Sequence, residues 1–130
     1  MAKLTQRTGQ LPMFMTARDI VATHQPSDWD RDKTYPKGQP SRLETDSEVL
    51  SRKLSESKGG DWAGFHESIA AEGVKTPVHL SMQFGRSGKP QIGEGHHRVA
   101  STMDINPDRY IPVMHHETLD DLGNWIMDNE

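Results

Sequence analysis

The chain has no cysteine, which excludes disulfides, thiolate metal centres and any cysteine nucleophile, and agrees with a reducing compartment. It has no apolar run approaching the roughly 20 residues needed to span a bilayer, and Met1-Ala2-Lys3-Leu4-Thr5-Gln6 has no apolar signal core. A cytoplasmic protein without a membrane partner is expected. Apolar residues are also scarce, at 32%, with a mean hydropathy of -0.80. Part of the 130 residues is therefore expected outside a single modest core.

Basic residues are scarce in the second half. Residues 1 to 60 carry ten Lys or Arg against eight Asp or Glu, whereas residues 61 to 130 carry five against eleven. An acidic surface repels a phosphate backbone, so DNA is disfavoured as a partner unless the bases cluster in space. From Glu117 to Glu130 there are five acids and no base, either a solvated helix face or an acidic partner-binding surface.

Periodicity supplies the elements. Thr16 with Asp19 forms an N-cap pattern before Ile20 and Val21, and His24-Gln25-Pro26 ends that short helix. Residues 26 to 42, with three prolines among alternating charges, read as a loop that sustains neither ladder nor helix. Trp29 and Tyr35 there are loop anchors or a stacking surface for a base. Thr45-Asp46-Ser47-Glu48 is a capping box, and a helix to Ser57 follows with Val49, Leu50 and Leu54 as its stripe and Arg52 and Lys53 in solvent. Asp61 then caps a helix carrying Trp62, Phe65, Ile69 and Ala70, stopped by Gly73, with His66 beside the stripe.

Val78, Leu80 and Met82 alternate with polar residues, the pattern of a strand with one buried face and His79 on the other. The turn from Gly85 to Pro90 returns an antiparallel strand, Gln91-Ile92-Gly93. A helix from His97 to Met103, a strand Ile111 to Met114, and a terminal helix capped by Thr118 with Leu119, Leu122, Trp125 and Ile126 on one face complete the chain. The expected fold class is α+β, a short mixed sheet packed against helices. Residues 1 to 44 form a loop-rich N-terminal region with one short helix, and residues 45 to 130 the folded domain.

The strand-to-helix turn Gly93-Glu94-Gly95-His96-His97-Arg98 carries most of the chemistry. Glycines there permit positive φ and close backbone approach, and the new helix offers unpaired N–H groups and the positive end of its dipole. Phosphate is the expected ligand, held by Gly93, Gly95, His96, His97 and Arg98. Glu94, His96 and His97 are the candidate catalytic groups, Glu94 as a general base or a magnesium-water contact. The alternative is that Glu94 only pairs with Arg98 or a nearby Lys. No H-E-x-x-H pattern exists among the seven histidines, and no zinc is expected. His96 meeting His115 or His116 across the sheet is the one route to a metal site.

From Glu67 to His115 the order of helix, Gly-Val-Lys-Thr-Pro-Val, strand, turn, Ile-Gly-Glu-Gly-His-His-Arg-Val-Ala and Ile-Pro-Val strand resembles the ParB/sulfiredoxin superfamily. It is most similar to the stand-alone ParB-like nuclease-domain proteins of actinobacterial phages. Residues 14 to 29 resemble, weakly, that family's first strand and loop. In ParB proteins the matching turn is Gly-Glu-Arg-Arg and contacts the phosphates of a cytidine nucleotide. Gly95 and Arg98 match, while His96 and His97 depart from it. In sulfiredoxins the turn is Gly-Cys-His-Arg, and His96 occupies the cysteine position, so sulfiredoxin chemistry is excluded. ParB's helix-turn-helix module has no counterpart after the last strand, so centromere-type DNA recognition is not expected.

The resemblance implies a nucleoside triphosphate with Mg2+ as ligand, and nucleotide hydrolysis or nuclease activity as the candidate enzymology. In a phage the compartment would be the host cytoplasm. The competing reading is a non-catalytic accessory protein that binds a host protein through its acidic helix or N-terminal region.

Overall fold

The structure, a computed structural model, describes residues 11–27 and 44–129. Residues 1 to 10, and the segment with Trp29 and Tyr35, lie outside the described residues. In chain order the elements are β1 (Phe14–Thr16), α1 (Ala17–Thr23), β2 (Gln25–Pro26), α2 (Asp46–Ser57) and a 3-10 turn (Gly60–Trp62). They continue as α3 (Phe65–Glu72), β3 (Val78–Phe84), β4 (Pro90–Glu94), α4 (His96–Ile105), β5 (Tyr110–His116) and α5 (Leu119–Asn129). The result is an α+β domain on a mixed sheet in the order β1-β5-β3-β4-β2. No helix among the described residues is long and apolar enough to cross a membrane.

The caps act as their residue types dictate. Thr16 Oγ1 accepts from the Asp19 N–H at 3.1 Å and starts α1. Thr45 and Glu48 close a reciprocal capping box at 3.2 and 2.8 Å, which fixes the first turn of α2. Thr118 Oγ1 accepts from the Asp121 N–H at 3.0 Å at the head of α5.

The two outer strands come from the N-terminal segment, so the sheet extends past the boundary drawn at residue 44. β1 pairs antiparallel with β5, Met15 opposite Ile111. β2 pairs parallel with β4, Gln25 opposite Gln91. Pro26 therefore stands in a ladder and not in a loop. Its strand is an edge, where a missing N–H can be accommodated.

The core is Ala17 and Ile20 of α1, Val78 and Leu80 of β3, Ile92, Val99 of α4, and Ile111 and Val113 of β5. β3 is buried on both faces at its start, because α5 covers the side that the alternation of Val78, Leu80 and Met82 left to solvent. His79 is 5% exposed and its ring lies 4.8 Å from that of Trp125. Its Nδ1 hydrogen-bonds His116 Nε2 at 2.9 Å.

Three other expectations are corrected. Asp61 caps no α-helix: Gly60, Asp61 and Trp62 make a 3-10 turn, and α3 starts after Gly64, with Ile69 its one buried residue. Arg52 is not solvated but forks onto the fully buried carboxylate of Glu44, Nε to Oε2 at 3.0 Å and Nη2 to Oε1 at 2.8 Å. Lys53 is not solvated either, being 7% exposed. β3 and β4 form the expected hairpin, with irregular register between Ser81 and Phe84.

Candidate functional site

β4 ends at Glu94 and α4 begins at His96, so the turn is a single residue, Gly95, at φ 106° and ψ 23°. That left-handed conformation is one that L side chains avoid, and a Cβ there would stand 2.9 Å from Val78 Cγ2. Gly95 therefore lets the turn lie flat on the start of β3. Gly93 lacks a positive φ. A Cβ on it would strike Leu122 of α5, so Gly93 is small to let that helix dock. The Val99 N–H bonds the Gly95 carbonyl at 3.1 Å, and no side chain caps the N-terminus of α4.

The three polar side chains that follow diverge. His96 is 7% exposed, and its Nε2 accepts from the Ser27 N–H at 3.0 Å. An imidazole nitrogen that accepts carries no proton, so the ring is neutral with its hydrogen on Nδ1, a donor and not a base. Ser27 is held in turn by its Oγ donating to the Ile92 carbonyl at 2.7 Å.

His97 lies under the ring of Trp62, centroids 3.9 Å apart and planes 20° from parallel. Its Nε2 is 2.9 Å from Glu56 Oε1. Burial alone would raise the Glu56 carboxyl, but the hydrogen bond from His97, with Lys53 and Arg52 beside it, outweighs burial and holds it below the usual carboxylate range. An ionised carboxylate can only accept. Nε2 of His97 thus carries hydrogen, and in the neutral ring the basic position is Nδ1.

Arg98 Nη1 donates to the carbonyls of Pro77 at 2.6 Å and Thr76 at 3.2 Å, bracing the turn against the entry to β3. Its Nη2 lies 3.6 Å from Glu94 Oε1, the pairing that the sequence offered as the alternative for Glu94. Glu94 stands at the rim with half of its side chain exposed.

All six residues from Gly93 to Arg98 line one cleft of about 510 Å³, together with Ser27, Lys53, Trp62 and Phe65. Reasoning from sequence missed Lys53 and Glu56, because nothing in the letters of α2 separates these two charges from its solvated ones. Trp62 was read as a helix-stripe residue. Its place between Gly59-Gly60 and Gly64 was the signal that it belongs to a turn.

His96 does not meet His115 or His116, since β3 lies between β4 and β5. His115 Nε2 donates to the Pro12 carbonyl at 2.7 Å, and no group of three or more His, Asp or Glu able to hold a metal occurs among the described residues. A magnesium ion arriving on phosphates needs only one or two carboxylates from the protein, which Glu94 at the rim fits. Comparison with protein-family models, curated proteins and solved structures finds no match to this chain.

Proposed function

We propose that this chain is a ParB-like domain that binds a nucleotide by its phosphates at the Gly93–Arg98 turn. One observation carries the reading: the whole turn lines a single cleft into which α2 brings Lys53 and the 3-10 turn brings Trp62. Phosphate oxygens are received by the uncapped N–H groups at the head of α4, where the helix dipole favours an anion. Lys53 adds a desolvated positive charge, and the His96 ring adds its Nδ1–H. Arg98 sets the shape of the turn and exchanges Glu94 for phosphate. Glu94, so released, would hold Mg2+, which neutralises phosphate charge.

The test is calorimetric and thermal-shift titration of the full chain with CTP, ATP, GTP, ADP and short DNA, with and without Mg2+. A nucleotide at one hundred times its Kd should stabilise the fold by about 2.7 kcal/mol. Lys53→Met, which removes the charge and keeps the stem, should weaken that binding at least tenfold. Arg98→Ala also releases two carbonyls, so its effect must be read beside its own unfolding midpoint. If no nucleotide shifts the melting curve, the reading fails, and a protein partner becomes the better hypothesis.

The Glu56–His97 pair favours hydrolysis as a second reading. A carboxylate that fixes one imidazole nitrogen presents the other as a base. Water attacks the terminal phosphorus, its proton passes to His97 Nδ1, and the bridging oxygen leaves with the shortened nucleotide. Glu56→Gln should then cut phosphate release by roughly 10²–10⁴-fold with little change in nucleotide affinity. Equal release by Glu56→Gln and the parent chain would remove the dyad from the mechanism and leave a binding domain.

A further inference from the structure

Three rings meet at the cleft mouth. Trp62 and His97 are stacked at 3.9 Å, Trp62 and Phe65 meet edge-on at 4.9 Å with planes 87° apart, and Phe65 and His97 are 6.3 Å apart. Those three separations satisfy a right angle at Trp62. Since His97 lies along the normal of the indole, Phe65 lies in the indole plane, at its edge. His97 therefore covers one face, Phe65 one edge, and the second face of the indole is left uncovered by either ring, in agreement with a Trp62 that is 40% exposed.

Trp62 also borders a second depression. Trp62 lines both the cleft of about 510 Å³ that holds the turn and a neighbouring one of about 500 Å³ bounded by Glu56, Gly59, Gly60 and Asp61. The two share Trp62 as a wall, and each has the volume of a small-molecule site. One is walled by phosphate-type donors. The other is walled by Trp62, two glycines and the carboxylate residues Glu56 and Asp61.

We infer that Trp62 is the platform on which the base of the nucleotide stacks, so that the site recognises nucleoside phosphates over phosphate alone. The inference rests on the reading of the turn as a phosphate site and adds the second half of the ligand to it. Phe65 at the edge and His97 beneath fix the tilt of the indole, so the platform is set before the ligand arrives. Asp61 and Glu56 at its margin accept hydrogen bonds, which favours bases bearing amino groups over uracil. Because every base has a π-face, stacking gives affinity with modest discrimination among the amino-bearing bases.

The experiment compares Kd values for tripolyphosphate, ATP, GTP, CTP and UTP on the parent chain, Trp62→Ala and Trp62→Phe, with the melting point of each variant as the folding control. The parent should bind at least one triphosphate nucleotide roughly 5- to 150-fold more tightly than tripolyphosphate, the span of a single base-aromatic stack. Trp62→Ala should abolish that preference, bringing the nucleotides to the affinity of tripolyphosphate for the same variant, and Trp62→Phe should retain most of it. Equal affinity of the parent for tripolyphosphate and nucleotides, or a preference that survives Trp62→Ala, overturns the inference while the turn stands as a phosphate site. Failure of every one of these ligands to bind overturns both.

Discussion

Gly93 and Gly95 flank one glutamate, and a motif reading treats them alike, yet they answer to different neighbours. Gly95 is bound by its own backbone, at φ 106°, and by Val78 across the turn. Gly93 is bound only by the Leu122 side chain of α5. Gly95→Ala should lower stability by about 1–3 kcal/mol, the cost of a left-handed non-glycine residue. Gly93→Ala should cost a similar amount through overpacking, about 1–3 kcal/mol. The separation comes from a third change. Leu122→Ala should relieve most of the Gly93→Ala penalty and none of the Gly95→Ala penalty in urea-denaturation cycles. Equal coupling of Leu122 to both positions would show that α5 and the turn move as one body.

Elements fixed by neighbours in sequence were legible, and those fixed by distant partners were not. The capping box at Thr45 and the glycines after Ser57 bound α2 in the letters as they do in space, because both signals act within four residues. Thr118 and Asp121 announce α5 for the same reason. β3 was half legible: its period of two is local, but the cover over His79 comes from Trp125, far along the chain, and no periodicity records that. Pro26 was misplaced because proline reads as a ladder breaker until the strand is known to be an edge. The site divides along the same line. The Gly93–Arg98 turn is contiguous and was found, whereas Lys53 and Trp62 reach the cleft from other elements, Glu56 meets it through His97, and none of the three carries a motif of its own. His97 was singled out as a candidate catalytic group, but the carboxylate it pairs with belongs to α2.

At the scale of the whole molecule the histidines make the fold sensitive to acid. His24, at the end of α1, is pushed down to about 4 from an ordinary 6.5, first by burial and then by the nearby charge of His115. His116 is lowered by burial and then by His79, against a smaller opposing pull from Asp121. In the unfolded chain both rings take up protons near 6.5, whereas the native chain refuses the proton on His24 down to about pH 4. Between those values the unfolded state binds more protons, so stability falls as pH falls, with a slope of up to about 1.4 kcal/mol per pH unit for each such ring. Glu56 and Asp104 act further down. The hydrogen bond from His66 is the main cause that lowers Asp104, and His97 with Lys53 and Arg52 lowers Glu56 against burial. The stability these two carboxylates add is present above their ordinary range near 4 and is lost as they protonate below it. Unfolding free energy from urea titrations should therefore be level from about pH 8 to 7 and decline from about 6.5 downward. His24→Asn should flatten the part of that decline between 6.5 and 4, since asparagine has no proton to refuse. A stability that stays level from pH 7.5 to pH 5 would mean that both rings accept protons in place, and that neither the end of α1 nor the His79–His116 contact depends on neutral imidazole.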